Sequence, residues 1–210
     1  MEDVVEGKSG GSTILCMGAA GLGKTLTAEI YSEVVERPLY RVHSGQLGTC
    51  PDEIEGRLTE ILKRSERWGA VLLIDEADVY IRERDNSMSH NAIVAAFLRK
   101  LEYFAGLLFL TTNRANDVDD AIRSRCIAVI NYEAPSSNQA VEIWNNLSDQ
   151  FELDMPEGLI DALVAKYPKA SGRDIKELLK LAAKYQRQKG EGLTENLFRQ
   201  CAIFRGISAA

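Results

Sequence analysis

The sequence predicts an α/β fold with a parallel sheet, followed by a smaller helical domain. Five short apolar runs alternate with segments of helical periodicity, a pattern typical of strands joined by helices that cover both faces of a parallel sheet. After Pro135 the strand-like runs stop and only helical patterns follow. The chain has 210 residues and is 45% hydrophobic, which is enough to bury the core of one α/β domain with a small appendage.

The predicted strands are Thr13–Met17, Leu39–His43, Val71–Ile74, Leu107–Thr111 and Ile127–Asn131. Helical spacing of apolar residues between them predicts the helices Lys24–Val35, Glu53–Arg67 and Asn91–Phe104. Similar spacing continues near residues 136–150, 157–167, 172–189 and 193–204. The polar segment Arg82–His90 is predicted to be a loop. We therefore assign residues 1–134 to the α/β domain and residues 135–210 to the helical domain.

The composition disfavours some classes of partner. With 25 basic and 31 acidic residues the net charge is −6, so the chain is not built to coat nucleic acid by bulk charge. No apolar run approaches the roughly 20 residues that a membrane-spanning helix needs. The four cysteines lie far apart and none has C-x-x-C spacing, which predicts reduced thiols and a cytoplasmic location.

The segment from Gly18 to Thr25 carries the most specific chemical signal. It matches the pattern G-x-x-x-x-G-K-[ST] and lies between an apolar strand and a helix. Glycines allow backbone N–H groups to turn toward a phosphate, and the helix N-terminus adds a favourable dipole for the anion. We expect Lys24 to reach the β- and γ-phosphates of a nucleoside triphosphate and Thr25 to ligate Mg²⁺. The predicted binding residues are Gly18, Ala19, Ala20, Gly21, Leu22, Gly23, Lys24, Thr25 and Leu26.

Two acids follow the apolar run Val71–Ile74. Such a strand is expected to be buried on both faces, and it delivers Asp75 and Glu76 to the carboxyl edge of the sheet, where α/β folds bind ligands. We predict that Asp75 joins Thr25 at the Mg²⁺ site and that Glu76 orients or deprotonates the attacking water. The alternative is a pair of solvated acids at a strand-to-loop transition, which the preceding phosphate-binding pattern disfavours.

The letters Asp75-Glu76-Ala77-Asp78 also spell the signature of DEAD-box RNA helicases. In that family the acids lie much further along the chain from the phosphate loop, and a second motor domain with an H-R-x-G-R element follows. This chain has neither feature. We therefore reject a helicase of that family as an interpretation of the four residues.

Polar and basic residues follow the last two predicted strands. Asn113 is predicted to hydrogen-bond the attacking water or the γ-phosphate, the alternative being a cap of the next turn. Arg123 and Arg125 lie close to acids, so surface ion pairs are one interpretation. The functional hypothesis is that Arg125, or else Arg123, reaches the γ-phosphate held by a neighbouring subunit. A planar and permanently charged guanidinium group suits that contact.

The triplet from Ser171 to Arg173 opens a helix in the second domain. Ser171 is a suitable N-cap, and Asp174 is favourable in the first helical turn. Arg173 is predicted to contact the nucleotide phosphates from this domain. The alternative is that Arg173 is simply an exposed residue of the first turn.

Taken in order, these motifs resemble those of the AAA+ ATPases, and the resemblance covers about residues 3–205. It implies a P-loop NTPase fold with a five-stranded sheet in the order 5-1-4-3-2 and a C-terminal helical lid. It also implies ATP and Mg²⁺ as ligands, ATP hydrolysis, and assembly into a ring homo-oligomer, usually a hexamer. It assigns Lys24 and Thr25 to Walker A, Asp75 and Glu76 to Walker B, Asn113 to sensor 1, Arg125 to the arginine finger and Arg173 to sensor 2.

The chain departs from the family pattern in two places. Many members have prolines in the phosphate loop, where this chain has Ala19 and Ala20, but phosphate binding requires neither side chain. Many substrate-threading members place an aromatic–hydrophobic–glycine trio after the second strand, whereas residues 44–50 contain no aromatic residue. This difference argues against threading of a polypeptide through a pore. The resemblance also implies an adenine pocket lined by Val4, Val5, Gly7 and Ile175.

Three functions are compatible with these motifs. ATP-driven remodelling of a protein partner is the favoured hypothesis. A clamp-loader or helicase-loader switch on DNA is the second, because Ser124-Arg125-Cys126 resembles the finger motif of clamp-loader subunits, but the acidic composition disfavours it. A non-hydrolysing nucleotide switch is the third, and it conflicts with Glu76, because such a switch needs no water-activating acid. Nothing in the sequence identifies the protein that is remodelled.

Overall fold

Five parallel strands form one sheet in the computed structural model, which describes residues 11–190 and 192–209. The strands are β1 Ser12–Gly18, β2 Leu39–His43, β3 Val71–Asp75, β4 Leu107–Thr112 and β5 Ala128–Tyr132. Their order across the sheet is β2-β3-β4-β1-β5, and all four pairings are parallel. Read from the other edge, this order is 5-1-4-3-2, so the predicted fold class is confirmed.

Helices join the strands and make up most of the chain after β5. In the described residues they are α1 Lys24–Val34, α2 Pro51–Trp68, α3 Asp78–Ile81, α4 Met88–Leu101, α5 Asp120–Arg123, α6 Ser137–Gln150, α7 Leu159–Lys166, α8 Gly172–Lys189 and α9 Glu195–Arg205. A short 3₁₀ helix covers Ser44–Gln46. The strands and long helices lie where they were predicted, with changes of a few residues at their ends.

The largest difference from the prediction concerns the helix expected at Asn91–Phe104. This helix, α4, begins at Met88, because the hydroxyl of Ser87 accepts a hydrogen bond from the backbone N–H of His90 at 3.3 Å. The last residues of the predicted loop Arg82–His90 are therefore helical, and that part of the prediction is wrong. The four-residue helices α3 and α5 were not predicted, because one turn is too short to show a hydrophobic period.

The strand β3 is buried along its whole length because helices cover both faces of the sheet. Successive side chains of a strand point to opposite faces, so the apolar run of β3 contributes to two cores. Leu72 and Ile74 pack with apolar residues of α2 and α4. Val71 and Leu73 lie in the other core, with residues of α1, β1 and β4. The strand ends in Asp75, its one charged residue.

The helices α6 to α9 share a separate core around Trp144 and Phe198. The two rings meet edge to face at an angle of 82°, with their centroids 5.6 Å apart. Ser136 and Ser171 begin α6 and α8 with capping boxes. Each box supplies partners for backbone N–H groups that have none within the first turn of a helix.

The chain is divided by its packing into two compact units. Of the described residues, the sheet unit contains 11–19 and Lys24–Tyr132, and the helical unit contains Ala20–Gly23, 133–190 and 192–209. The division into domains 1–134 and 135–210 stays a prediction, since these units are defined by packing alone. Within the described residues, none of the helices combines the length and the apolar character needed to span a membrane.

Replacement of Trp144 by alanine should lower the free energy of unfolding by about 3–5 kcal/mol, because it leaves a cavity in the core of the helical unit. Trp144 is 1% exposed. The matched control is Trp68→Ala, where the side chain is 50% exposed and the expected loss is about 1 kcal/mol or less. Urea unfolding followed by circular dichroism measures both losses. Equal losses in the two variants would contradict this assignment of the core.

Candidate functional site

The glycine loop, residues 18–25, follows β1 and leads into α1. Gly18, Gly21 and Gly23 have φ angles of 147°, 82° and 99°, values that other residues rarely adopt. Gly18 is further constrained by its neighbour in the sheet, because a β-carbon there would lie 2.4 Å from the carbonyl oxygen of Tyr132 in β5. Glycine is therefore required where the loop leaves the sheet.

The ammonium group of Lys24 is buried beside the loop that precedes it. Lys24 is 7% exposed, and its Nζ donates hydrogen bonds to the carbonyl oxygens of Gly18 at 2.7 Å and Ala19 at 2.6 Å. It also donates to Oδ1 of Asn113 at 2.9 Å. Asn113 follows β4, so this contact connects the ends of two adjacent strands. The structure thus brings together Lys24 and Asn113, which the sequence assigned to the same site.

The carboxylate of Asp75 accepts hydrogen bonds from three directions. Its Oδ1 accepts from the hydroxyl of Thr25 at 3.0 Å and from that of Thr111 at 2.6 Å. Its Oδ2 accepts from Nη2 of Arg41 at 2.5 Å. Burial by itself would raise the pKa of Asp75, but the hydrogen bonds from Thr111, Arg41 and Thr25 outweigh it and lower the pKa below its ordinary value. Asp75 is therefore a buried but ionised carboxylate beside the Thr25 hydroxyl.

Glu76 has an exposed side chain on a backbone with a φ of 57°. Such a value is uncommon for a residue other than glycine and has an energetic cost. Its backbone N–H donates to the hydroxyl of Thr111 at 3.0 Å, and the next N–H, of Ala77, donates to the carbonyl of Thr111 at 2.9 Å. These two bonds hold the chain in this conformation and direct it out of the sheet after Asp75.

Asp78, the last acid of the Asp-Glu-Ala-Asp run, forms hydrogen bonds with residues at the end of β4. Its Oδ1 accepts hydrogen bonds from the hydroxyl of Thr112 and from the backbone N–H of Asn113 at 3.2 Å. The acid thereby fixes the backbone that carries the Asn113 side chain. Sequence reasoning weighed Asp78 only as part of the helicase signature and missed this structural role.

Arg123 and Arg125 have different surroundings. Arg123 is half-buried, and its Nη2 donates to the carbonyl of Ala115 at 2.6 Å. Arg125 is more exposed: its Nη1 donates to the carbonyl of Ala121 at 3.1 Å, and its Nη2 lies 4.0 Å from the carboxylate of Glu102. Among the described residues, the recorded partners of Arg125 are thus distinct from Lys24, Thr25 and Asp75. Of the two arginines, Arg125 is the less confined.

In the helical unit, Gly21 of the glycine loop packs against the start of α8. Its carbonyl oxygen accepts a hydrogen bond from the backbone N–H of Arg173 at 3.3 Å. A β-carbon on Gly21 would lie 2.6 Å from the hydroxyl of Ser171. The recorded contact of Arg173 with the loop is made by its backbone, and its side chain is exposed.

Two further predictions concern regions around the site. The adenine-pocket residues Val4, Val5 and Gly7 lie outside the described residues, and Ile175 is fully buried in the core of the helical unit. Residues 44–50 are held in place by Tyr80, whose hydroxyl lies 2.8 Å from the carbonyl of Ser44 and 2.9 Å from that of Gly48. Leu47 in this segment is fully buried.

Sequence reasoning missed Arg41 and Thr111 as partners of Asp75. Arg41 lies in β2, two residues before the position that pairs with Asp75 in the sheet. The implied strand order already placed β2 beside β3, but it did not show which side chain of β2 reaches the acid; the hydrogen bond in the structure identifies Arg41. The signal for Thr111 was clearer, because it is a hydroxyl residue near the end of an otherwise apolar strand.

The donor set around Thr25 and Asp75 fits a magnesium ion that also binds phosphate. Mg²⁺ prefers oxygen ligands, and it usually takes one or two carboxylates together with phosphate oxygens and water. Asp75 is ionised, and Thr25 supplies a hydroxyl next to it. Across the described residues, no group of three or more His, Cys, Asp or Glu side chains could hold a metal by itself. Mg²⁺ bound at these two residues would complete its coordination with water or phosphate oxygens.

The chain is similar to known proteins in both sequence and fold. Residues 14–134 match the sequence model of the ATPase family associated with various cellular activities, AAA. An uncharacterised AAA family ATPase of Sinorhizobium fredii is 30% identical over 132 residues, which is 60% of this chain and 40% of that protein. A protein of Methanothermobacter marburgensis, named as a candidate 26S proteasome regulatory subunit homolog, is 27% identical over 173 residues, which is 78% of this chain and 46% of that protein. The chain thus spans less than half the length of either relative.

A solved structure, the AAA domain of FIGL-1 in complex with ADP, has a similar fold. Its TM-score is 0.73 at 21% sequence identity, and the match covers 93% of this chain and 72% of that chain. At this identity the likeness establishes the fold and nothing further. The matched region includes both the strands and the helices after β5.

Replacement of Asp75 by asparagine should destabilise the protein in a pH-dependent way. The lowered pKa means that the carboxylate stabilises the folded state above its ordinary pKa of 3.8, and that this stabilisation is lost as the pH falls through the folded value. We expect Asp75→Asn to cost about 1–3 kcal/mol at neutral pH, and the difference from wild type to shrink below about pH 4. Urea unfolding at several pH values measures it. The control Asp117→Asn alters a weak, exposed ion pair with Arg114 at 3.8 Å, so its free energy of unfolding should change little. A loss of stability in Asp75→Asn that did not vary with pH would contradict the assignment.

Proposed function

The chain belongs to the ATPase family associated with various cellular activities, and from that membership we propose that it binds ATP with Mg²⁺ and hydrolyses it. One observation carries the proposal: the hydrogen bonds among Lys24, Asn113, Thr25 and Asp75 gather the predicted site residues at the carboxyl ends of β1, β3 and β4. In open α/β sheets this edge is where ligands bind.

The glycine loop and Lys24 bind the phosphates in this proposal. The loop has three glycines at positive φ, which lets backbone N–H groups turn toward an anion. The ammonium group of Lys24 is a strong donor now directed at the carbonyl oxygens of Gly18 and Ala19. The β- and γ-phosphate oxygens are stronger acceptors for the same group. Thr25 and Asp75 hold the Mg²⁺, which when bound neutralises charge on the phosphate oxygens.

Glu76 and Asn113 act on the water in this proposal. Glu76 is exposed, immediately follows Asp75, and is held in position through its backbone by Thr111. A carboxylate in that position accepts the proton of the attacking water. The amide of Asn113 is fixed from both sides, by Lys24 at its Oδ1 and by Asp78 at its backbone N–H. It orients the water or the γ-phosphate by hydrogen bonding.

Two arginines, Arg125 and Arg173, complete the site in this proposal. We assign the finger to Arg125 of a neighbouring subunit rather than to Arg123, because two backbone carbonyls already hold the guanidinium group of Arg123. Arg125 has an exposed side chain with one hydrogen bond and one distant carboxylate. Arg173, whose backbone N–H donates to the carbonyl of Gly21 within the helical unit, responds to the nucleotide in this proposal. This arrangement requires assembly into a ring, which we propose to be a homohexamer.

We further propose that hydrolysis drives the remodelling of a protein partner. The name of the relative from Methanothermobacter marburgensis concerns a proteasome regulatory subunit, and the net charge of −6 disfavours nucleic acid. Threading through a pore is not part of the proposal, because residues 44–50 lack an aromatic residue and Tyr80 holds them to the sheet unit.

The variant Glu76→Gln should bind ATP with unchanged affinity and hydrolyse it about 10²- to 10⁴-fold more slowly, the usual contribution of a general base. The amide has nearly the same shape as the carboxylate but accepts no proton. Phosphate release measures turnover, and calorimetry with ATP and Mg²⁺ measures affinity. The control is Glu33→Gln, a substitution of an exposed acid on α1, which should match wild type. Normal turnover by Glu76→Gln would exclude Glu76 as the base.

Mixing the inactive variants Arg125→Ala and Glu76→Gln should restore part of the ATPase activity. In the mixed ring, an intact Glu76 of the first variant receives Arg125 from the second, and such a finger is worth about 10³–10⁵ in rate. The control Arg114→Ala removes an exposed arginine that is paired with Asp117 and should stay active alone. Sedimentation shows whether the variants assemble. No recovery in mixed assemblies would mean that Arg125 does not act between subunits.

A further inference from the structure

Among the described residues, Arg41 is the basic residue that forms an ion pair with the Asp75 carboxylate, and it has no role in the proposed reaction. Its Nη2 donates to Oδ2 of Asp75 at 2.5 Å. Its Nη1 lies 3.5 Å from the carboxylate of Glu29 in α1. The guanidinium group is thus placed between an acid of the predicted metal site and an acid of the neighbouring helix.

The position of Arg41 follows from the alternation of side chains in β2. The adjacent residue, Val42, is buried in the core with α2 and α4, so Arg41 points to the opposite face, where α1 lies. Glu29 is four residues after Thr25 in α1, so the two side chains lie on the same side of the helix. Each of four side chains therefore contacts the next one at this corner of the sheet, in the order Thr25, Asp75, Arg41 and Glu29.

The two oxygens of Asp75 have unequal neighbours. Among the described residues, Oδ1 accepts from two uncharged hydroxyl groups, those of Thr25 and Thr111. Oδ2 accepts from the positively charged guanidinium group of Arg41. A divalent cation that approaches Asp75 meets this fixed positive charge and competes with it for the same carboxylate. The repulsion is appreciable because the Asp75 side chain is only 8% exposed, although Arg41 itself is 41% exposed.

We propose that Arg41 weakens the binding of a divalent cation at Thr25 and Asp75, and so makes the cation depend on the phosphate oxygens that arrive with the nucleotide. The inference rests on the proposed function, which places Mg²⁺ at these residues. Arg41 is a positioning residue in this account, since it acts through Asp75. Glu29 moderates its effect by drawing the guanidinium group toward α1.

A purely structural role for Arg41 makes the opposite prediction. In that case the ion pair only ties the edge strand β2 to β3 and keeps Asp75 in place. Loss of Arg41 would then leave Asp75 less ordered, and cation binding would become weaker or stay the same. The sign of the change in cation affinity therefore separates the two roles, and activity is not needed to read it.

The test is a titration of the full chain with Mn²⁺ in the presence of ADP, followed by electron paramagnetic resonance, with Mg²⁺ added to displace the Mn²⁺. Arg41→Gln should bind Mn²⁺ about 3- to 30-fold more tightly than wild type, because it removes the competing charge. Arg41→Lys keeps the charge and should stay within about twofold of wild type. The gain in Arg41→Gln should shrink at high salt, because Arg41 is partly exposed.

Unchanged or weaker Mn²⁺ binding by folded Arg41→Gln would overturn the inference. If circular dichroism shows that Arg41→Gln does not fold, Glu29→Gln tests the same idea: it leaves Arg41 held by Asp75 alone and should weaken Mn²⁺ binding about 2- to 10-fold. Equal or tighter binding by Glu29→Gln would then overturn the inference. If the wild-type chain with ADP binds no Mn²⁺, the failure lies with the proposed function itself.

Discussion

A carboxylate buried at the end of a buried strand is the constraint on which the site depends. The strand β3 is covered on both faces, so the Asp75 that ends it loses much of its contact with water. An ionised group in that position is stable only if hydrogen bonds replace the lost solvation. Those bonds come from Thr25 in α1, Thr111 in β4 and Arg41 in β2. The need to satisfy one charge therefore fixes three neighbouring elements around it.

The glycine loop is constrained in a different way, by close approach. Gly18 has no room for a β-carbon because the backbone of Tyr132 in β5 lies beside it, and its φ is positive, so only glycine fits where the loop leaves the sheet. Lys24 then returns to the carbonyl oxygens of the loop and reaches Asn113. The geometry of the loop therefore also places the ammonium group of Lys24 next to the position proposed for the phosphates.

The strained backbone of Glu76 depends on the same hydroxyl group that binds Asp75. Thr111 donates its hydroxyl hydrogen to Asp75 and accepts a hydrogen bond from the N–H of Glu76. One hydroxyl group therefore satisfies the buried acid and holds the next residue at a φ of 57°. Strain at a functional position persists only when its surroundings over-determine it, and here the surroundings are the end of an adjacent strand. The hydrogen bond that stabilises Asp75, the proposed metal ligand, thus also fixes the position of Glu76, the proposed water-activating acid.

The sequence by itself determined the elements of the fold and the residues proposed to act on a nucleotide. Hydrophobic periodicity and the pattern from Gly18 to Thr25 are local signals, and the five strands, their flanking helices and the assignment of Lys24, Asp75 and Asn113 all depend on such signals. Such signals are absent from elements of a single turn, which is why the four-residue helices α3 and α5 were missed. They also do not reveal contacts between segments that are distant along the chain: Arg41 is 34 residues from Asp75 and Thr111 is 36 residues from it. Only the tertiary structure decided those partners. The family resemblance already implied the strand order, but the register of the strands and the direction of each side chain determine which groups share the buried charge.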